Sequence, residues 1–241
     1  MFFCALTFAY NAAMTEPHPE RQRRLLYGRR KGPKLRGHQA ELLETLLPRL
    51  TLQIEQGRDP HGYFPAPVSD VWLEIGFGAG EHLLTLSRAN PKVGFIGAEP
   101  FVNGVAKLLS KLEPGEGANI RIHMGDARDI LDALPDASLG RVMILFPDPW
   151  PKTRHHKRRF IQMETLDALA RVMKKGAQLR FASDDPGYVA WALERLCAHA
   201  AFAWTATRAD DWRERPGDWP QTRYEAKAIR GVPSYFTFVR G

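Results

Sequence analysis

From Val71 onward the chain alternates short apolar runs with amphipathic stretches, and this alternation restricts its fold more than any other feature. Apolar runs occupy 71–75, 93–98, 119–123, 141–146, 178–183 and 235–239, with helical patterning at 80–89, 101–112, 160–174 and 187–199 between most of them. Strands buried on both faces read as unbroken apolar runs, and parallel strands need helical crossovers. The pattern therefore predicts an α/β fold, doubly wound around a mostly parallel sheet with right-handed connections. The last run, Tyr235 to Val239, follows irregular sequence rather than a helix, which predicts an antiparallel strand at a sheet edge.

The region before Val71 differs. Residues 38–56 place Leu42, Leu43, Leu46, Leu47 and Leu50 at helical spacing before a turn at Gly57-Arg58-Asp59-Pro60. Residues 1–37 form a basic, flexible arm ahead of a domain spanning 38–241, with Arg21, Arg23, Arg24, Arg29, Arg30, Lys31, Lys34 and Arg36 among few apolar residues. Met1 to Ala13 is apolar but too short to span a bilayer and lacks the basic start of a secretory signal; Met14 is an alternative start. The net charge of +7 suits a polyanionic partner such as nucleic acid, although charge alone also fits a basic protein with no such partner. Cys4 and Cys197 belong to no disulfide or zinc pattern, which suits a reducing cytoplasm, and Cys197 reads as a small core residue of a helix.

The first strand runs into Glu74-Ile75-Gly76-Phe77-Gly78-Ala79-Gly80 and then a helix. Glycines there allow a tight turn and close approach of backbone to a ligand at the carboxyl end of a strand. A dinucleotide loop would read G-x-G-x-x-G, but the third glycine arrives one residue early and position 81 is Glu. The segment instead resembles motif I of Rossmann-like methyltransferases, whose cofactor has no phosphate and a positively charged amino-acid tail. Glu99 ends the second strand, where a carboxylate can accept both hydroxyls of a ribose, and Asp126, followed by Ala127, succeeds the third, where one can receive an adenine amino group. Singly, each is an ordinary turn residue or helix cap. At the ends of three successive strands, Glu74, Glu99 and Asp126 point to an S-adenosylmethionine site.

The fourth strand enters Phe146-Pro147-Asp148-Pro149-Trp150-Pro151-Lys152, where three prolines stiffen the loop around Asp148. The following Thr153-Arg154-His155-His156-Lys157-Arg158-Arg159 would elsewhere be a solvated face; beside a ligand site it reads as a phosphate cradle. His155 and His156 lack further ligands at metal spacing, so no metal is expected. Trp150 reads equally as a base-stacking residue or a buried anchor, and Trp204, Trp212 and Trp219 as packing residues.

These motifs, together with Thr222-Arg223-Tyr224-Glu225, Gly97-Ala98-Glu99, Gly125-Asp126-Ala127, Ser183-Asp184 and Gly28-Arg29-Arg30, resemble the bacterial tRNA (guanine-N7)-methyltransferases over about residues 21 to 240. The resemblance implies a Rossmann-like class I methyltransferase fold and methylation of a guanosine in the tRNA variable loop. It implies that Glu74, Gly76, Gly78, Gly80, Glu99, Asp126, Ala127 and Asp148 hold S-adenosyl-L-methionine, with Asp148 also catalytic. Lys152, Asp184, Thr222, Arg223, Tyr224 and Glu225 would bind substrate, and Arg154, His155, His156, Lys157, Arg158 and Arg159 would touch RNA. No obligate protein partner is implied. Three other readings remain: a methyltransferase for small molecules or proteins, an RNA-binding module that has kept the fold, and a nicotinamide dehydrogenase disfavoured by the glycine spacing.

Overall fold

The computed structural model describes residues 25–221, 225 and 230–241. Cys4, the alternative start at Met14 and the basic residues up to Arg24 lie outside the described residues. Seven strands form one sheet: β1 (Asp70–Ile75), β2 (Val93–Ala98), β3 (Ile120–His123), β4 (Leu139–Leu145), β5 (Met173–Ser183), β6 (Phe202–Trp204) and β7 (Ser234–Arg240). Their order is β3-β2-β1-β4-β5-β7-β6. The first five pair in parallel, whereas β7 runs antiparallel to both β5 and β6. The C-terminal strand is thus antiparallel, but it is not the rim. The three-residue β6, which has no apolar run long enough to announce it, lies outside β7.

Each face of the sheet has its own core. Helices α3 (Glu81–Ala89) and α4 (Val102–Leu109) place Leu83, Leu86, Val105 and Leu108 on one face against Phe95, Ile122 and Met143. Helices α5 (Ala127–Ala133), α6 (Met163–Val172) and α7 (Pro186–Ala198) place Ile130, Leu131, Leu166, Leu169 and Leu196 on the other against Leu73, Ile96, Val142 and Phe181. Alternate residues of β1 explain why both faces fill: Val71, Leu73 and Ile75 serve one core, while Glu74 is buried on the opposite side.

Two expectations need correcting at the level of elements. The helix over 38–56 is two shorter pieces, α1 (Gly37–Thr45) and α2 (Leu47–Leu50), because Pro48 has no N–H to continue the ladder. Cys197 is exposed rather than buried. The core stripe of α7 runs through Tyr188, Ala192 and Leu196, and the next residue turns away from it. Of the tryptophans read as packing residues, Trp219 is buried and Trp212 packs on the core, whereas Trp204 is partly exposed on β6, stacked on Phe238 at 6.2 Å. Among the described residues, no helix is long and apolar enough to cross a membrane.

Candidate functional site

Strand order reverses between β1 and β4, and the carboxyl ends of strands on either side of such a point splay apart to leave a crevice. A cavity of about 480 Å³ opens there, within the range of small-molecule sites. Gly76, Gly78 and Gly80 turn the chain out of β1 with φ of 76°, 57° and 73°, a left-handed course that L side chains resist. A further glycine completes the bend. A Cβ on Gly104 of α4 would meet the Gly78 carbonyl oxygen at 2.4 Å, so its bare Cα lets the loop settle on the helix.

Glu99, at the end of β2, is 7% exposed and ties this loop to the next. One carboxylate oxygen accepts from the Gly78 N–H at 2.7 Å and the other from the Phe101 N–H at 2.9 Å. Burial pushes its pKa up to about 6; the two amide donors pull against that rise, and the nearby Asp148 and Glu74 charges add to it. Asp126 caps α5 through the Arg128 N–H at 3.0 Å and accepts the Arg128 guanidinium side-on. Gly76, Gly78, Glu99, Asp126, Ala127 and Asp148 all line the cavity. Gly80 shapes the turn from outside that wall, and Glu74 lies behind it, buried against His82.

Asp148 stands at the cavity mouth. The residues bracketing its proline-braced turn, Phe146 and Trp150, both adopt positive φ, 50° and 45°. For non-glycine residues such a backbone is costly and is held only by its surroundings. Although solvent reaches Asp148, surrounding protein raises its carboxyl pKa, and the Arg230 charge opposes that rise. The wall facing it comes from the N-terminal arm. Leu26, Tyr27, Gly28 and Arg29 line the cavity, and a Cβ on Gly28 would sit 3.3 Å from an Asp148 oxygen. The arm is fastened by Asn103, which accepts from the Gly32 N–H at 2.7 Å and donates to the Pro33 carbonyl at 2.8 Å.

The basic run forms a 3-10 turn, Thr153–Arg158. Lys152, Arg154 and Lys157 are exposed, while His155, His156 and Arg158 are half-buried. Crowding and the surrounding Arg158, Arg154, Lys152 and Lys157 charges lower the His155 pKa. Arg158 lies 4.5 Å from the Tyr27 ring and 5.0 Å from the Trp150 ring, making a cationic and aromatic rim beside Asp148. Arg159 departs from its expected RNA-facing position. It is 3% exposed, donates to the Pro149 and Gly187 carbonyls at 2.8 and 3.1 Å, and stacks on Tyr188 and Trp191. Carbonyls and rings inside the protein hold the guanidinium, and it braces the loop of Asp148.

Asp184 accepts from the Arg230 N–H at 3.0 Å, joining β5 to the C-terminal segment. Glu225 accepts from the Tyr235 hydroxyl at 2.7 Å and pairs with Arg215 at 2.9 Å. Neither carboxylate lines the cavity, nor does Lys152. Thr222, Arg223 and Tyr224 lie outside the described residues. Sequence reasoning missed Tyr27, His82, Asn103 and Gly104. Gly28-Arg29-Arg30 marked the arm, but nothing in sequence marks a clip formed across 71 residues.

Comparison with known proteins identifies the lineage of this arrangement. A family model described as "Putative methyltransferase" matches residues 69–236. The tRNA (guanine-N(7)-)-methyltransferase of Rhodospirillum rubrum is 52% identical over 221 residues, covering 89% of this chain and 87% of that protein. The enzyme of the same name from a Chelativorans species is 49% identical over 231 residues, covering 94% and 100%. Among solved structures, the 16S rRNA methyltransferase KamB aligns with TM-score 0.52 at 18% identity, covering 72% of this chain and 89% of that one, a likeness of fold. The chain belongs to the tRNA (guanine-N(7)-)-methyltransferase family.

Proposed function

We propose that this protein transfers a methyl group from S-adenosyl-L-methionine to N7 of a guanosine in tRNA. The observation carrying this reading is the convergence of Gly76, Gly78, Glu99, Asp126 and Asp148 on one cavity whose wall also carries the exposed cations Arg29 and Lys157. The cofactor fits what the walls offer. Gly76 has open space where a Cβ would stand, so a ligand can approach the backbone. The Glu99 oxygens each hold one N–H and retain lone pairs for a ribose diol. Asp126 and Ala127 line the same cavity and would flank an adenine.

When bound, S-adenosyl-L-methionine supplies a methyl carbon made electrophilic by its sulfonium. Guanine N7 brings an available lone pair and no proton, so the protein needs no general base at that atom. Its task is to align N7 for in-line attack, and positioning of this kind can supply roughly 7–11 kcal/mol of the barrier. Positive charge moves onto the guanine ring as the N–C bond forms and the C–S bond breaks. Asp148, held in a strained turn at the cavity mouth, would stabilise that charge and accept from the N1–H and N2–H edge. Tyr27, Trp150 and Arg158 would pack on the base or its neighbours. Lys152, Arg154 and Lys157 would meet phosphates and set register rather than base identity. A tRNA substrate supports a cytoplasmic setting for this work.

The test is methylation of unmodified tRNA with labelled cofactor, followed by cleavage chemistry specific for N7-methylguanosine. Label at a single N7 position is expected. Label at another guanine atom, or transfer to small molecules or protein but not tRNA, defeats the reading.

A further inference from the structure

Glu74 and His82 form a buried pair behind the glycine loop, with 3% and 2% of their surfaces exposed. His82 Nδ1 lies 2.8 Å from a Glu74 carboxylate oxygen. The opposite ring nitrogen, Nε2, is buried and has no hydrogen-bond partner among the described residues. Leaving such an atom unmet in a protein interior is costly, and native structures rarely do so without a reason. Both side chains line a side pocket of about 20 Å³, and the pocket shares Gly76, Leu145 and Phe146 with the main cavity. Glu81, also on its wall, is already paired with Lys111 at 2.6 Å.

Facing a carboxylate, Nδ1 is the donor of this contact; in the neutral ring Nε2 is then an acceptor, the second carboxylate oxygen of Glu74 is an acceptor as well, and a donor that meets both completes the pair. A volume of this size holds one water or one ammonium group. Only the ammonium brings charge to a buried carboxylate, and only it belongs to a ligand that fills the adjoining cavity. We infer that His82 is a positioning residue for the cofactor's amino-acid tail, holding Glu74 through Nδ1 and presenting Nε2 to the same ammonium. The inference rests on the S-adenosylmethionine reading above and assigns His82 a role in recognising one end of that molecule.

Truncating the ligand tests it. Calorimetry would compare S-adenosylhomocysteine, which keeps the amino-acid tail, with methylthioadenosine, which lacks it, on the full chain. Wild type is expected to bind both. His82→Leu should weaken S-adenosylhomocysteine by about tenfold or more and leave methylthioadenosine within about twofold. His82→Asn keeps a donor near the Nδ1 position and should recover part of the loss. If His82→Leu fails to fold and binds neither ligand, His82→Asn alone decides, because a loss confined to the tailed ligand is still required. Equal losses for both ligands, or no loss for S-adenosylhomocysteine, would overturn the proposal. Wild-type protein that binds neither ligand would instead remove the cofactor reading, and this proposal with it.

Discussion

At the residue scale the site depends on carboxylates placed where burial and hydrogen bonding pull in opposite directions. Glu99 shows the consequence, because its ordinary value of 4.5 rises to about 6 in the folded chain. Between those two values the folded state holds the proton more tightly than the unfolded one, so this group stabilises the ligand-free protein as pH falls through 6, by about 2 kcal/mol in full. Ligand binding should move the other way, since a carboxylate that accepts a ribose diol must be ionised. S-adenosylhomocysteine affinity measured from pH 8 to pH 5 should therefore decline below about pH 6, and Glu99→Gln should flatten that decline. Affinity that stays level to pH 5 would remove Glu99 from the ribose. Asp148 gives a second prediction. Asp148→Asn should retain cofactor binding and lose roughly 10- to 1000-fold in kcat, because the charge that favours a cationic ring is gone while the shape remains. An undiminished kcat would make Asp148 a structural turn residue.

At the scale of elements, the basic turn divides into a surface and a foundation. Lys152, Arg154 and Lys157 face solvent, whereas Arg159 anchors the Asp148 loop on Tyr188 and Trp191. Replacing the three exposed cations by alanine should weaken tRNA binding and reduce the slope of log affinity against log salt by about 0.7–0.9 for each phosphate no longer neutralised. Arg159→Ala should instead lower the melting temperature and leave that slope alone. Sequence could not separate these roles, since the run from Arg154 to Arg159 is uniformly basic and only the packing of α7 decides which side chain turns inward. Local signals did better where the physics is local. The βα alternation, the glycine turn and the carboxylates closing β2 and β3 were legible because strand periodicity and turn geometry act over a few residues. Helix α5 was not, because its seven residues make too few turns for a periodic stripe. The Asn103 clip and the arm's place in the cavity wall arise from tertiary packing, which no window of sequence contains.

At the scale of the whole molecule, β7 is an apolar antiparallel strand whose sequence, Ser-Tyr-Phe-Thr-Phe-Val-Arg, has strong β propensity and no proline. A bare strand of this kind is a template for pairing with another chain, and a run of this length and composition suits amyloid-like stacking. The three residues of β6 cover its C-terminal part, pairing Phe202, Ala203 and Trp204 with Arg240, Val239 and Phe238. Ala203→Pro should detach that cover without touching the cavity. The expected result is protein that still binds S-adenosylhomocysteine but shows concentration-dependent light scattering that the wild type lacks. A variant that scatters no more light than the wild type would mean the β7 edge is shielded by something other than β6. The shortest strand of the sheet, which contributes little to the core and nothing to the site, would then have solubility as its function: it ends the sheet where a second molecule would otherwise continue it.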